Sequence, residues 1–229
     1  MSASDRPNRI WVTRTEPQAL ATAARLAAMG FGVVVTAPVL EVERIAEARI
    51  DLAGIDALVF TSGHAVTAFA ALSAVRDLPV FTVGEATADL ARQAGFAAVT
   101  SADGDVGALA ALIARAAPRP TRVLHPAARE PAADLAALLG GLGVLANTIA
   151  VYETVETGAF VSGVDAILVH SPRAGRAVAA RYAGRPEAAR ISAYAISEAA
   201  AAPLRGAGFR AVSVAPRPTE AALLALLKG

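Results

Sequence analysis

The stretch Gly84–Val99 reads GEATADLARQAGFAAV, and the stretch Ser197–Val212 reads SEAAAAPLRGAGFRAV. The two align without a gap at an offset of 113 residues, and nine of their 16 positions are identical. Because alanine is common throughout the chain, the other matches carry the comparison: Glu85 with Glu198, Arg92 with Arg205, Gly95 with Gly208, Phe96 with Phe209 and Val99 with Val212. Self-similarity at a fixed period indicates an internal duplication.

The similarity extends beyond this stretch. The same offset pairs Arg9 with Arg122, and with a small shift LVFTS at Leu58–Ser62 matches LVHS at Leu168–Ser171. In each copy, short apolar runs rich in β-branched residues alternate with helical stretches of Ala, Leu and Arg. The predicted helices include Glu130–Leu139 and Glu198–Gly206. This alternation is typical of parallel sheets that are covered by helices on both faces, so the sequence predicts an α/β fold.

The domain layout follows from two extended segments that interrupt this alternation, at about residues 37–43 and 148–154. Ten candidate strands could form one sheet, but the repeat favours two five-stranded sheets. If the two segments pair as a two-stranded β-ladder hinge, the chain crosses between domains twice. This layout predicts a discontinuous first domain of residues 1–36 plus 155–229 and an inserted second domain of residues 39–147.

The composition excludes several classes of protein. Mean hydropathy is +0.49, but about a quarter of the residues are alanine. Glycines also interrupt the long uncharged run Leu135–Tyr152, so no membrane span is expected. The first eight residues hold no apolar run of the kind a secretory signal needs, which favours a cytoplasmic protein. There is no cysteine, and the net charge of +1 comes without basic clusters, so disulfides, thiolate chemistry and nucleic-acid binding are not expected.

Small and hydroxyl-bearing residues follow the predicted strands. In doubly wound sheets, ligands bind beyond the carboxyl ends of the strands, where helix N-termini present free N–H groups. The turns are therefore either simple helix caps or, taken together, a cleft for an anionic ligand. They are Thr13-Arg14-Thr15, Thr61-Ser62-Gly63, Gly84-Glu85-Ala86-Thr87, Ser171-Pro172-Arg173 and Ser197-Glu198.

No conventional catalytic motif accompanies these turns. The chain has no Gly-x-Ser-x-Gly elbow, no P-loop and no Gly-x-Gly-x-x-Gly after a strand. The three histidines lack metal-ligand spacing: His125 and His170 are interpreted as structural, and His64 as surface at a helix start. Arg14 could bind a carboxylate or be a surface charge, and Tyr152 could pack in the hinge or take part in function.

A set of short motifs, in this order and spacing, resembles the uroporphyrinogen-III synthase family. The resemblance covers nearly the whole chain, although no single motif is diagnostic. The motifs are VTR at Val12–Arg14, VFTSGHAV at Val59–Val66, VGEATA at Val83–Ala88, VYET at Val151–Thr154, ISEA at Ile196–Ala199, GF at Gly208-Phe209 and PTEAALLALL at Pro218–Leu227.

The resemblance implies a fold and a reaction. The fold is two flavodoxin-like domains joined by a β-ladder. The reaction cyclises hydroxymethylbilane, a linear tetrapyrrole with eight carboxylates, to uroporphyrinogen III, with inversion of the last ring and loss of water through an azafulvene cation and a spiro intermediate. Because such catalysis depends on positioning, no nucleophile, metal or cofactor is expected.

The resemblance also assigns roles to individual residues. Tyr152 matches a recurring tyrosine in the second linker strand and is the candidate that hydrogen-bonds the leaving hydroxyl or acts as general acid. One departure is the alanine at both Ala199 and Ala200, where many relatives carry threonine. The implied substrate-binding residues are Thr13, Arg14, Thr61, Ser62, Gly63, Gly84, Thr87, Ser171, Pro172 and Ser197.

The expected partner is the small-molecule substrate, with no nucleic acid and no membrane. A monomer is expected, with a possible transient contact to the preceding pathway enzyme. The alternative function is a non-catalytic, two-domain paralogue that binds a small anion or a tetrapyrrole. The departure at Ala199-Ala200 favours that alternative, whereas Tyr152 and the cleft turns favour the enzyme.

Overall fold

The computed structural model describes residues 6–228, so residues 1–5 and Gly229 lie outside the described residues. Residues 1–5 make up most of the N-terminal stretch in which no secretory signal was predicted. Helices and strands alternate along the chain. The chain divides into two compact units: unit 1 comprises the described residues of Met1–Glu41 and Val155–Gly229, and unit 2 is Val42–Thr154. Within residues 6–228, none of the helices has the length and apolar character needed to cross a bilayer.

Unit 1 is built on a five-stranded sheet whose strands pair in parallel. Alternate residues of its central strands face opposite sides, so Trp11 and Ile167 belong to one core while Ile10 and Leu168 belong to the other. Helices cover both faces, which explains why the strands are apolar throughout. In spatial order the strands are β11 (Ala211–Val214), β10 (Ser192–Ala195), β9 (Ala166–Val169), β1 (Arg9–Val12) and β2 (Val33–Thr36).

Unit 2 repeats this plan on a six-stranded sheet. Its strands from β8 to β6 pair in parallel, and two apolar cores again lie on opposite faces, one with Leu58 and Phe60 and the other with Ala57 and Val59. In spatial order the strands are β3 (Leu40–Arg44), β8 (Leu145–Glu156), β7 (Arg122–Ala128), β4 (Ala57–Phe60), β5 (Val80–Thr82) and β6 (Val99–Ser101). The prediction of two five-stranded sheets was therefore wrong by one strand, because β3 joins this sheet.

The helices begin at polar caps. Side-chain oxygens of Ser62, Asp105, Asp134, Ser171, Ser197 and Thr219 accept N–H groups of the first turns. The helices are α1 (Gln18–Ala28), α2 (Gly63–Leu72), α3 (Glu85–Gln93), α4 (Val106–Arg115), α5 (Leu135–Gly141), α6 (Pro172–Tyr182), α7 (Glu198–Ala201) and α8 (Glu220–Ala225).

Two helices depart from the sequence prediction. A helix was expected over Glu130–Leu139, but α5 begins only after Asp134, whose carboxylate accepts the Ala137 N–H at 3.0 Å. A helix was also expected over Glu198–Gly206, but α7 ends at Ala201 and continues as a 3₁₀ turn, Ala202–Leu204. Pro203 lies in that turn and has no N–H with which to extend the α-helical ladder.

The duplicated residues have the same structural roles in both units. Arg92 pairs with Glu85 within α3 at 2.5 Å, and Arg205, which follows the 3₁₀ turn after α7, pairs with Glu198 at 2.6 Å. Gly95 and Gly208 both have positive φ, +98° and +82°, which glycine adopts without steric cost. The phenylalanines that follow, Phe96 and Phe209, pack into or against the core of their own unit.

A second correspondence lies at the amino ends of the strands. In unit 2, Asp56 Oδ2 accepts the N–H groups of Thr121 and Arg122 at 2.7 and 2.9 Å. In unit 1, Asp165 Oδ2 accepts the N–H groups of Asn8 and Arg9 at 3.0 and 2.9 Å. The hydrogen bonds from Arg122 and Thr121 hold the pKa of the Asp56 carboxyl below its ordinary value. The duplication inferred from the sequence is therefore also visible in the hydrogen bonding.

Strands β3 and β8 lie in the two predicted hinge segments. Ile45 N donates to Val151 O at 3.0 Å, and Thr157 N donates to Val39 O at 3.1 Å. From Val39 to Ile45 the bonded residue on the other strand moves back from Thr157 to Val151, so the two strands run antiparallel. Strand β8 is continuous through residues 148–154 and also pairs with β7. The second segment and residues 40–43 of the first thus belong to the six-stranded sheet, and the action of the two segments as a hinge stays a prediction.

Candidate active site

In unit 2, the predicted site residues gather at the carboxyl ends of β4 and β5. Ser62 caps α2, and its hydroxyl oxygen accepts the His64 N–H at 3.2 Å. Gly84 caps α3 through its carbonyl, which accepts the Thr87 N–H at 3.1 Å. The hydroxyl group of Thr82 also donates to this carbonyl. These turns act as helix caps, and the cap at Ser62 leaves the serine O–H proton available to a ligand.

Thr61 is held by a buried histidine. The His125 ring is 1% exposed, with Nε2 3.2 Å from the Thr61 hydroxyl and Nδ1 3.4 Å from the Thr148 hydroxyl. Burial lowers the pKa of His125 to about 4. A neutral imidazole between two hydroxyl groups orients Thr61 at the end of β4, in agreement with the structural interpretation of this histidine.

Tyr152 lies in β8 beside a cavity that we term the tyrosine pocket. The ring is partly buried against the core of unit 2, and among residues 6–228 its hydroxyl has no hydrogen-bond partner. The His64 ring lies 5.7 Å from the Tyr152 ring, centroid to centroid, at an interplanar angle of 47°. The pocket has a volume of about 240 Å³ and is lined by Val42, Arg44, His64, Thr67, Ala68, Ala71 and Tyr152.

Sequence reasoning missed two residues of this pocket. His64 is exposed at the start of α2, as the sequence interpretation had it, but its side chain also lines this pocket. Arg44 was not considered, because its position depends on the antiparallel register of β3 and β8. The hydrogen bonds between residues 45 and 151 and between residues 39 and 157 fix the register of the two strands, and this register places Arg44 opposite Tyr152.

In unit 1, two predicted side chains have partners within the protein. Thr13 is buried, and its hydroxyl donates to the Leu168 carbonyl at 2.7 Å. Arg14 Nη1 lies 2.5 Å from Glu220 Oε2. Glu220 also accepts the hydroxyl of Thr22 and lies 3.6 Å from Arg25. Glu220, at the start of α8, is a residue that the sequence analysis did not single out.

The other turns of unit 1 are helix caps. Ser171 caps α6 by accepting the Ala174 N–H at 3.1 Å, and Pro172 occupies the first turn, where an N–H is not needed. Ser197 caps α7 by accepting the Ala200 N–H at 3.3 Å. Ala200 itself is fully buried, so a side chain there contributes packing rather than a ligand contact.

His170 directly follows β9 and is the counterpart of Thr61 in the repeat. Neither of its ring nitrogens has a hydrogen-bond partner among the described residues. Burial, and secondly the positive charge of Arg14, lower the pKa of His170 to about 4, while Glu220 acts in the opposite direction. Across residues 6–228, no three His, Cys, Asp or Glu side chains come together as metal ligands would.

The two buried histidines predict a pH dependence of stability. Their pKa in the folded state, about 4, lies below the ordinary value of 6.5, so the unfolded chain binds protons first as the pH falls. Stability is full above about pH 6.5 and decreases between pH 6.5 and 4. Each histidine contributes about 3 kcal/mol to this loss, at about 1.4 kcal/mol per pKa unit.

Urea unfolding at several pH values between 7.5 and 4 measures this loss. His125→Gln and His170→Gln should each flatten the dependence of the free energy of unfolding on pH. An equal slope in both variants and the original chain would show that folding lowers the pKa of neither histidine.

The fold and the site together define a two-unit α/β protein with parallel sheets, in which capped helix N-termini follow the carboxyl ends of strands and a tyrosine pocket is lined by α2, β3 and β8. The family model described as "Uroporphyrinogen-III synthase HemD" matches residues 21–225. The chain therefore belongs to the uroporphyrinogen-III synthase family.

Solved structures support the same fold. The uroporphyrinogen-III synthetase from Helicobacter pylori is 19% identical, with a TM-score of 0.61 over 96% of this chain and 97% of that one. A mutant uroporphyrinogen III synthase from the extremely thermophilic bacterium Thermus thermophilus is 17% identical, with a TM-score of 0.50 over 96% of this chain and 97% of that one. A comparison with curated proteins gives no match.

Proposed function

We propose that this chain cyclises hydroxymethylbilane to uroporphyrinogen III, with inversion of the last ring and release of water, as a hydro-lyase of tetrapyrrole biosynthesis. The observation that carries the proposal is the family match over nearly the whole chain. The absence of a conventional catalytic triad fits this reaction, because positioning and differential stabilisation can supply most of the catalysis.

Tyr152 is the proposed catalytic residue. Its hydroxyl has no partner among the described residues, and it borders an open pocket. In the first step the carbon–oxygen bond of the hydroxymethyl group breaks as the pyrrole nitrogen donates its lone pair to form the azafulvene cation. The Tyr152 O–H transfers its proton to the departing oxygen, which leaves as water, and the proton released after ring closure returns to the phenolate.

The proposed substrate-binding residues have two kinds of role. Arg14 binds a carboxylate directly: Nη1 is held by Glu220, and its guanidinium makes no other hydrogen bond within residues 6–228. The other proposed residues shape turns whose N–H and O–H groups face anionic groups of the substrate. They are Thr61, Ser62, Gly63, Gly84 and Thr87 in unit 2, and Thr13, Ser171, Pro172 and Ser197 in unit 1. Thr13 contributes only to the shape of its turn, because its hydroxyl donates to the Leu168 carbonyl.

The proposal extends to organisation. We place the domains at residues 1–36 plus 155–229 and 39–147, with a hinge at about 37–43 and 148–154. The division into two compact units and the pairing of β3 with β8 support these boundaries. The protein acts in the cytoplasm as a monomer without a cofactor, and meets the preceding pathway enzyme only transiently.

The second candidate is a binding paralogue without activity, favoured by the alanines at 199 and 200. The product isomer decides between the two candidates. Hydroxymethylbilane closes spontaneously to the symmetric type I ring, so the purified protein should yield type III in excess over a control without protein. Chromatography of the oxidised products measures the ratio. Type I alone, at the rate of the control, would exclude catalysis.

A further inference from the structure

The walls of the tyrosine pocket come from three elements of unit 2. His64, Thr67, Ala68 and Ala71 are spaced i, i+3, i+4 and i+7 and so lie along one face of α2. Strand β3 supplies Val42 and Arg44, and β8 supplies Tyr152. Because two of the helix residues are alanines, space remains between the helix and the strands. A volume of about 240 Å³ accommodates a group of several heavy atoms, since a water molecule in the liquid takes about 30 Å³.

The electrostatics of the pocket favour an anion. Arg44 is the one charged residue among those lining it, and it has no carboxylate partner within residues 6–228. Side chains alternate along a strand, so Val42 and Arg44 share a face while Glu41 and Glu43 point to the other side. Arg129, by contrast, is paired with Glu153 at 2.8 Å. An unpaired guanidinium beside an open cavity is suited to a planar carboxylate.

We propose that the tyrosine pocket is a carboxylate subsite in which Arg44 pairs with one carboxylate side chain of the ligand and His64 donates a ring N–H to the same group. This inference rests on the proposed function, which supplies a ligand with carboxylates. Either protonation state of an imidazole offers at least one N–H donor. The Tyr152 hydroxyl stays available to the reacting group, so the subsite determines which pyrrole ring lies beside the catalytic tyrosine.

Two kinds of variant test the subsite. Arg44→Gln removes the charge, and Arg44→Lys restores it. Ala71→Leu fills the pocket from an exposed position of α2 without changing charge or helix propensity appreciably. Arg115→Gln, which removes an exposed arginine at the end of α4, is the matched control for the loss of one positive charge.

Two readouts are measured for each variant: the Kd of uroporphyrin III, an octacarboxylate, by calorimetry, and kcat and KM with hydroxymethylbilane. Arg44→Gln should raise Kd and KM by about tenfold, the loss expected for a charge-assisted hydrogen bond. Ala71→Leu should raise them by about the same factor, because the leucine side chain occupies the space of the carboxylate and prevents that hydrogen bond. Arg44→Lys should recover most of the affinity, and Arg115→Gln should change Kd by less than about twofold. Melting temperatures should stay unchanged, since these positions are exposed.

The outcomes separate this inference from the proposed function. If the original chain forms type III product and the Arg44 and Ala71 variants keep its Kd and KM, the subsite is wrong while the function stands. Equal losses in Arg44→Gln and Arg115→Gln would assign the effect to overall charge and would also overturn the subsite. If the original chain neither forms type III product nor binds uroporphyrin III, the proposed function fails first.

Discussion

Tyr152→Phe should lower kcat by about 10²-fold, the lower end of the range for removing a general acid, and leave the fold intact. The substitution deletes one oxygen that has no partner within residues 6–228, so the packing of the ring on the unit 2 core is preserved. The His64 ring contact is preserved as well, because it involves the ring and not the hydroxyl. Initial rates of type III formation and thermal melting measure the two effects.

Tyr182→Phe is the matched control. Tyr182 is buried in unit 1, its hydroxyl donates to the Val161 carbonyl at 2.9 Å, and burial raises its pKa to about 12. Its loss leaves a carbonyl unpaired and should reduce stability by about 1 kcal/mol with little change in kcat. If Tyr152→Phe retains the full rate, Tyr152 is a packing residue and the proton donor must be sought elsewhere in the site.

Much of the fold could be predicted because its determinants are local and occur twice. The pairs Glu85–Arg92 and Glu198–Arg205 each join residues seven apart in the chain, and Gly95 and Gly208 follow them with positive φ in both copies. Apolar runs between helices predict parallel sheets, since both faces of each strand are buried. The same logic failed at α7, where one proline shortened the second copy of the helix.

The site was harder to predict because its contacts join distant parts of the chain. Arg14 and Glu220 are separated by 206 residues, and no local pattern indicates that they pair. The strand-end turns could be located from sequence, but not which hydroxyl groups the protein itself would use: Thr13 donates to a neighbouring strand. The neighbourhood of Arg44 and Tyr152 depends on strand register, which is set by pairing across the sheet rather than by composition.

Gly175→Ala should destabilise unit 1 by about 3 kcal/mol, the upper part of the range for overpacking a well-packed contact. A Cβ at this position of α6 would lie 2.3 Å from the carbonyl oxygen of Ala200. That atom belongs to the backbone of α7, so it cannot rotate away as the end of a flexible side chain would. Helices α6 and α7 begin at Ser171 and Ser197, and separating them displaces both turns.

Gly140→Ala supplies the comparison, because Gly140 is also helical, yet a Cβ there meets no atom within 4 Å. That substitution should stabilise the protein by about 0.5–1 kcal/mol through helix propensity alone. Urea unfolding of both variants measures the difference. The Gly175 variant should also show a higher KM, since two turns proposed to hold carboxylates move together. Two glycine variants of equal stability would mean that α6 and α7 do not pack this closely, and the expected joint displacement of the Ser171 and Ser197 turns would lose its physical basis.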